Sequence, residues 1–233
     1  MIRILSTKKL LPNQRQFLLN ANLAVVETDF IQTENIKFTL SNINDNLIFS
    51  SQNAVMSVLQ HPDSTALKSK KVFCVGTKTK ALLEENGFKV EIHTGYAVDL
   101  AEIISLMHRN ESFTFFCGNL RRDVLPEILK ENEITLNEIE VYQTKLTSQK
   151  MDSAFDGILF FSPSGVESYL QQNKLKNEIC FAIGNTTAQA LSNTTKNIIV
   201  ANQPTVENTI IQALHHFGRM TNNERQTNLK PTK

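Results

Sequence analysis

The chain has 233 residues, 41% of them hydrophobic, and a formal net charge of +1. That is enough apolar material for two small cores, and too little positive charge for a broad nucleic-acid-binding face, which needs a basic stripe. Trp is absent and aromatic residues make up only 7%, which argues against the stacking platforms that hold single strands. No apolar run approaches membrane-spanning length, and "MIRILSTKKL" turns polar too soon for a secretory leader. The expectation is a cytoplasmic protein with neither a membrane nor a nucleic-acid partner.

In chain order, short apolar runs at 2–5, 24–26, 46–49, 72–75, 90–93, 113–117, 138–143, 157–161, 179–183 and 198–200 read as strands. Amphipathic stretches lie between most of them: Leu82, Leu83 and Phe88 fit one helix, and Leu125, Ile128 and Leu129 another. Continuous apolar strands alternating with helices predict an α/β fold with parallel sheets flanked by helices. The segment "DFIQTEN" at 29–35 reads as extended, as does "EIEVYQT", which contains Tyr142. From Gly218 to residue 233 the chain is polar and without periodicity, so a disordered tail is expected there.

Two stretches echo each other. "DNLIFSSQNAVMSVLQ" and "DGILFFSPSGVESYLQ" match without gaps at Asp45/Asp156, Phe49/Phe160, Ser51/Ser162, Val55/Val166, Ser57/Ser168, Leu59/Leu170 and Gln60/Gln171. A second pair follows: "FCVGTKTKALL" carries Gly76 and Thr79, and "FAIGNTTAQAL" carries Gly184 and Thr187. Two similar α/β units are the simplest reading.

Small polar residues recur where strands give way to helices: "STKK" (6–9), "SSQN" (50–53), "GTKT" (76–79), "GNLRR" (118–122), "SPSG" (162–165) and "GNTT" (184–187). Ligands of open parallel sheets bind beyond the carboxyl ends of strands. Ser and Thr there cap helices, and helix-start amides bind anions. Six such loops suggest anion-friendly rims facing one cleft, although each loop alone is accounted for by ordinary capping. Arg121 and Arg122 pose a sharper question. A helix start repels cations, so two arginines there need an anion. It is either a ligand or a neighbouring carboxylate such as Asp123 or Glu127.

Other chemistries find no support. Neither a phosphate-loop signature nor G-x-G-x-x-G is present. "FSPSG" lacks the first glycine of a nucleophile elbow, so Ser164 reads as a cap. The five histidines show no metal-ligand spacing. Cys74, Cys117 and Cys180 each lie in an apolar run, as small core residues would. No metal site and no dinucleotide fingerprint are expected from these residues.

Together "LIFSSQNAV", "VGTKTKALLEENGF", "GNLRRDVLP", "VYQT", "FFSPSGVESYL" and "AIGNTTAQAL" resemble, in order and spacing, the uroporphyrinogen-III synthase family over residues 2–217. The resemblance implies two domains joined by a two-stranded linker. The outer domain would be 1–31 with 147–217, the middle domain 35–140, and the linker strands 32–34 and 141–146. It implies cyclisation of hydroxymethylbilane, a linear tetrapyrrole polycarboxylate, with inversion of the last pyrrole ring and loss of water. It implies no cofactor and a monomer, and it leaves open a transient contact with the deaminase that makes the substrate. Tyr142 matches the linker tyrosine, a candidate general acid. The substrate-binding set becomes Ser50, Ser51, Gly76, Thr77, Thr79, Gly118, Asn119, Arg121, Ser162, Ser164, Gly165, Thr186 and Thr187. The rivals are a non-catalytic two-domain binder of polycarboxylates and a regulatory module.

Overall fold

The structure, a computed structural model, describes residues 1–121 and 123–227, with side chains to residue 218. Two compact units divide the chain: Met1–Gln32 with Lys145–Lys233, and Thr33–Thr144.

In the first unit, strands β1 (Arg3–Ser6), β2 (Ala24–Glu27), β9 (Gly157–Phe160), β10 (Ile179–Ala182) and β11 (Ile198–Val200) form a sheet in the order β11-β10-β9-β1-β2. Every ladder in it is parallel. Its centre, β9, is buried throughout, which is why the sequence there is an unbroken apolar run. Side chains alternate across the pleat. Leu5, Ile158 and Phe160 pack on one face beneath helices α6 (Pro163–Gln172) and α7 (Asn185–Leu191). Ile4, Leu159 and Phe181 pack on the other beneath α1 (Pro12–Asn20) and α8 (Val206–Thr227). The expected end of order at residue 217 is therefore corrected: α8 continues to Thr227. The helix is nucleated on buried Ile210, Ala213 and Phe217, and once nucleated each added residue gains a backbone hydrogen bond. Residues 228–233 of the expected tail lie outside the described residues.

The second unit repeats the plan. Strands β3 (Ile31–Asn35), β4 (Asn46–Phe49), β5 (Lys71–Val75), β6 (Lys89–Thr94), β7 (Phe113–Gly118) and β8 (Leu136–Leu146) take the order β3-β8-β7-β4-β5-β6, and β8 through β6 run parallel. Leu47 and Phe49 join one core with α2 (Gln52–Leu59) and α3 (Thr77–Glu85); Ile48, Phe73, Phe113 and Phe115 join the other with α4 (Ala97–Met107) and α5 (Val124–Glu131). All ten apolar runs are strands. The extended segment at 29–35 supplies the eleventh, β3, which neighbours β8.

The echo between the two stretches is a repeated device. Ser51 caps α2 by accepting from the Ala54 N–H, and Ser162 caps α6 by accepting from Gly165. One helical face further on, buried Ser57 donates to the Val141 carbonyl of β8, and buried Ser168 lies 3.2 Å from the Ser148 hydroxyl just beyond that strand. Gln60 accepts from Asn35 at 2.6 Å, and Gln171 accepts from Ser148. Each helix thus uses the same Ser and Gln to hold an extended segment. The Val141 carbonyl also accepts from Ile36 N–H at 3.3 Å. Ser57→Ala is expected to lower stability by ~1–2 kcal/mol through a partly unsatisfied buried carbonyl; an unchanged denaturation midpoint would show that the bond contributes nothing.

Candidate functional site

On neighbouring parallel strands of the second unit, Ser50 and Ser51 follow β4, Gly76 and Thr77 follow β5, and Gly118 ends β7; Tyr142 of β8 reaches Ser51 and Gly118. Tyr142 owes its orientation to an irregularity. β7 pairs with β8 in register up to Cys117 opposite Glu140, and then Gly118 falls opposite Tyr142. Val141 is the extra residue. A bulge breaks the period of two and re-aims the side chains after it. Accordingly Ile139, Val141 and Tyr142 all pack against the same core, where strict alternation would have turned Tyr142 to the opposite face. Ser57 holds the bulge at its carbonyl.

The Tyr142 ring lies directly on Gly118. A Cβ on that glycine would stand 2.5 Å from Cζ and 2.6 Å from Cε2. Gly118 is not among the residues with positive φ, so the ring, rather than the backbone conformation, requires a glycine. The tyrosine hydroxyl accepts a hydrogen bond from Ser51 Oγ at 3.1 Å. Burial pushes its pKa above the ordinary value of 10.0, against a smaller downward pull from the Ser51 bond. Tyr142 therefore carries its proton at neutral pH and can give it to a ligand.

Asn119 lies in the turn after β7. Its side-chain Oδ1 accepts from Thr144 N–H at 2.7 Å and its Nδ2 donates to the Thr144 carbonyl at 3.2 Å. The amide thus continues the β7–β8 ladder past the bulge. Gly76 has φ 91° and precedes α3, a conformation that favours glycine. Its own N–H donates to the Thr94 carbonyl at 2.8 Å. Thr77 is exposed and Thr79 buried in the first turn of α3, where amides lack intrahelical acceptors.

Arg121 answers the electrostatic question from within the unit. Its guanidinium pairs with Asp123 and with Glu138 of β8. Asp123 is a partner the sequence suggests; Glu138, distant in sequence, is not. Asp123 also places a carboxylate at the start of α5, where the helix dipole favours it. Arg122 lies outside the described residues. A groove of ≈ 510 Å³ beside this pair is lined by Asp123, Glu127, Glu133 and Glu138 against a single Lys130. That charge balance repels polyanions.

In the first unit, Ser162, Ser164 and Gly165 open α6, and Thr186 and Thr187 lie in the first turn of α7. The expected capping role of Ser164 is corrected. Ser162 makes the cap bond, while Ser164 Oγ sits 3.0 Å from Ser162 Oγ. Pro163 occupies the first helical position, which suits its fixed φ and sets the cap one residue earlier. Thr187 is buried and Thr186 half-buried. Thr7, within "STKK" and marked by no motif of its own, is buried and donates to the Leu159 carbonyl at 2.8 Å. A Cβ on Gly165 would stand 3.8 Å from its Oγ1, so it belongs to the same rim. Lys8 follows, 6.0 Å from the Phe161 ring.

The cysteines are core residues of β5, β7 and β10. Burial pushes the thiols of Cys74 and Cys117 up to about 11 and that of Cys180 to about 12, so none is a thiolate at neutral pH. Of the histidines, His108 pairs with Glu111 at 2.8 Å and His216 packs on Phe181 and Phe217. Among the described residues no group of His, Cys, Asp and Glu side chains is arranged to hold a metal ion, and no helix is long and apolar enough to cross a membrane.

A sequence model described as "Uroporphyrinogen-III synthase HemD" matches residues 18–211. The chain belongs to the uroporphyrinogen-III synthase family. A curated uroporphyrinogen-III synthase of Chlorobaculum parvum is 26% identical over 172 residues, covering 62% of this chain and 68% of that one. A porphyrin biosynthesis protein HemD of Ruminiclostridium josui is 24% identical over 211 residues; the match takes in 80% of this chain and 41% of the longer relative. Among solved structures, the family's α/β fold is shared with the Helicobacter pylori 26695 uroporphyrinogen-III synthetase, at TM-score 0.70 and 21% identity over 93% of this chain and 100% of that one. A mutant uroporphyrinogen III synthase of Thermus thermophilus gives TM-score 0.66 at 13% identity, over 93% and 98% of the two chains.

Proposed function

We propose that this protein is a uroporphyrinogen-III synthase, a cyclising lyase of tetrapyrrole biosynthesis. It closes hydroxymethylbilane to uroporphyrinogen III, inverting the last pyrrole ring and releasing water. The observation that carries the reading is the family match across residues 18–211. Membership by sequence is supported at the site by a protonated, oriented phenol beside hydroxyls and helix starts.

The chemistry divides into two tasks. The substrate's hydroxymethyl group must leave as water, which needs a proton on its oxygen while a pyrrole nitrogen pushes electrons toward the carbon. Tyr142 is the proposed donor of that proton. The second task is holding a flexible polyanion so that inversion outruns direct closure. Acetate and propionate carboxylates suit helix-start amides and neutral hydroxyls. Exposure separates the proposed ligands: Ser50, Thr77, Ser164 and Thr186 are accessible to a ligand, while Thr79 and Thr187 are buried and act by shaping the helix starts. Arg121 binds substrate in this reading only by exchanging a carboxylate partner. The domain limits 1–31 with 147–217, 35–140, and linker strands 32–34 and 141–146 belong to the same proposal. So do a monomeric, cytoplasmic protein and a transient contact with the preceding deaminase.

Tyr142→Phe is expected to lower turnover by ~10- to 100-fold without abolishing it, because positioning supplies the rest. Complete loss in a normally folded variant would contradict distributed catalysis, and no loss would remove Tyr142 from the site. The activity itself is tested by growth. Expression in a bacterium lacking its own synthase is expected to restore haem-independent growth, and failure of a well-expressed soluble protein to do so would count against the assignment.

A further inference from the structure

Ser51 has a double engagement that the helix cap alone does not explain. Its Oγ accepts from the Ala54 N–H at 3.1 Å and donates to the Tyr142 hydroxyl at 3.1 Å. A serine hydroxyl has one proton, and a tyrosine hydroxyl has one proton besides its acceptor capacity. With the Ser51 proton directed at Tyr142, the tyrosine's own proton takes no part in that bond. Among the described residues Ser51 is the one hydrogen-bond partner of the Tyr142 hydroxyl. The ring cannot rotate freely to choose another, because it lies on Gly118 and follows a bulge pinned at Val141 by Ser57.

We propose that Ser51 is a positioning residue that sets the proton polarity of Tyr142, fixing the phenol as acceptor from the protein and as donor toward the substrate's leaving oxygen. The proposal rests on the synthase reading and deepens it. The α2 cap places the donor: the Ala54 N–H takes one lone pair of Ser51 and holds the hydroxyl beside the phenol, to which its hydrogen is directed. In the proton transfer, the Tyr142 O–H bond breaks as the leaving oxygen gains its proton and departs as water. The tyrosinate so formed is held by the same Ser51 donor until it is reprotonated.

The experiment compares Ser51→Thr, Ser51→Ala and Ser51→Asp, each alone and combined with Tyr142→Phe, with thermal midpoints measured alongside. Thr keeps both the cap and the donor and is expected to stay within ~2-fold of the parent in kcat. Ala loses the donor and is expected to lower kcat by about 5- to 10-fold with KM nearly unchanged. Asp caps a helix as well as Ser but can only accept, so it captures the tyrosine proton; its kcat is expected to fall below that of Ala at saturating substrate while its midpoint stays near the parent's. In the Tyr142→Phe background these differences are expected to shrink to within ~2-fold. A purely structural cap would instead rank Asp with Ser. That ranking, or an equal Ala loss in both backgrounds, would overturn the proposal.

Carbon-13 labelling of the tyrosine ring supplies a readout independent of turnover, with Tyr96 and Tyr169 as internal controls. Removing a donor from the phenolate destabilises its charged form, so the Tyr142 titration is expected to move upward in Ser51→Ala and to stay put in Ser51→Thr. If the parent protein makes no type III product, the synthase reading fails by itself, and an unmoved Tyr142 titration would then overturn the positioning claim separately.

Discussion

Gly118→Ala is expected to cost both stability and activity, through one atom. The added Cβ would meet three Tyr142 ring atoms, at 2.5 Å from Cζ, 2.6 Å from Cε2 and 2.9 Å from the hydroxyl oxygen. Real carbons do not approach so closely, so the ring must leave its seat or β7 and β8 must separate. Overpacking of this kind costs ~1–3 kcal/mol. Moving the ring also breaks the Ser51 bond, so turnover is expected to fall at least as far as in Tyr142→Phe, by ~100-fold. A double variant separates the two effects. Gly118→Ala with Tyr142→Ala removes the clash, so the midpoint is expected to recover relative to Gly118→Ala while activity stays low. A single variant that kept both its midpoint and its rate would show that the ring is not seated on this glycine.

Phe49→Ala is expected to give the larger loss of stability. Phe49 is fully buried at the last position of β4, stacked on Phe116 at 5.1 Å and edge-on to Phe88 at 6.1 Å. It belongs to the core that also holds Val58 of α2, Leu83 of α3 and Val141 of β8. Truncation removes the transfer free energy of the ring and leaves a cavity that these rigid neighbours cannot close, for ~3–5 kcal/mol. That is a large share of a typical ~5–15 kcal/mol total, and the thermal midpoint is expected to drop by roughly 10 °C. Ser50 and Ser51 follow directly in the chain, so activity is expected to fall well below the denaturation temperature as β4 loosens. A midpoint shift of only a degree or two would mean that the Leu47–Phe49 face is packed more loosely than described.

Much of this architecture is visible in the sequence because parallel strands buried on both faces cannot hide. The runs at 46–49, 113–117 and 157–161 are apolar at nearly every position, and the central strands they mark are buried throughout. The echo was legible for a related reason. Ser51 and Ser162 cap, while Ser57, Ser168, Gln60 and Gln171 bond extended segments, so both copies keep the same polar residues at the same helical positions.

What stayed hidden depends on register and on partners distant in the chain. Nothing in "EIEVYQT" marks Val141 as a bulge, yet the bulge decides which face Tyr142 takes. Gly118 reads only as one more small residue of a strand-to-helix loop, because its requirement comes from a ring twenty-odd residues away. Asn119 lies in the turn that follows, and nothing local shows that its side chain also extends a ladder. The sequence leaves the anion of Arg121 open between a ligand and a near carboxylate, because Glu138 is brought to it only by the pairing of β7 with β8. In each case the local chemistry is visible in the sequence and the partner is supplied by the fold.

The central claim is ring inversion, and the isomer composition of the product tests it most directly. Hydroxymethylbilane generated in situ by its deaminase is supplied to this protein, the products are oxidised, and type I and type III uroporphyrins are separated chromatographically. Predominantly type III is the predicted result, since spontaneous closure gives type I without inversion. Type I alone, formed at the rate seen without the protein, would contradict the account and move the non-catalytic polycarboxylate binder to the front.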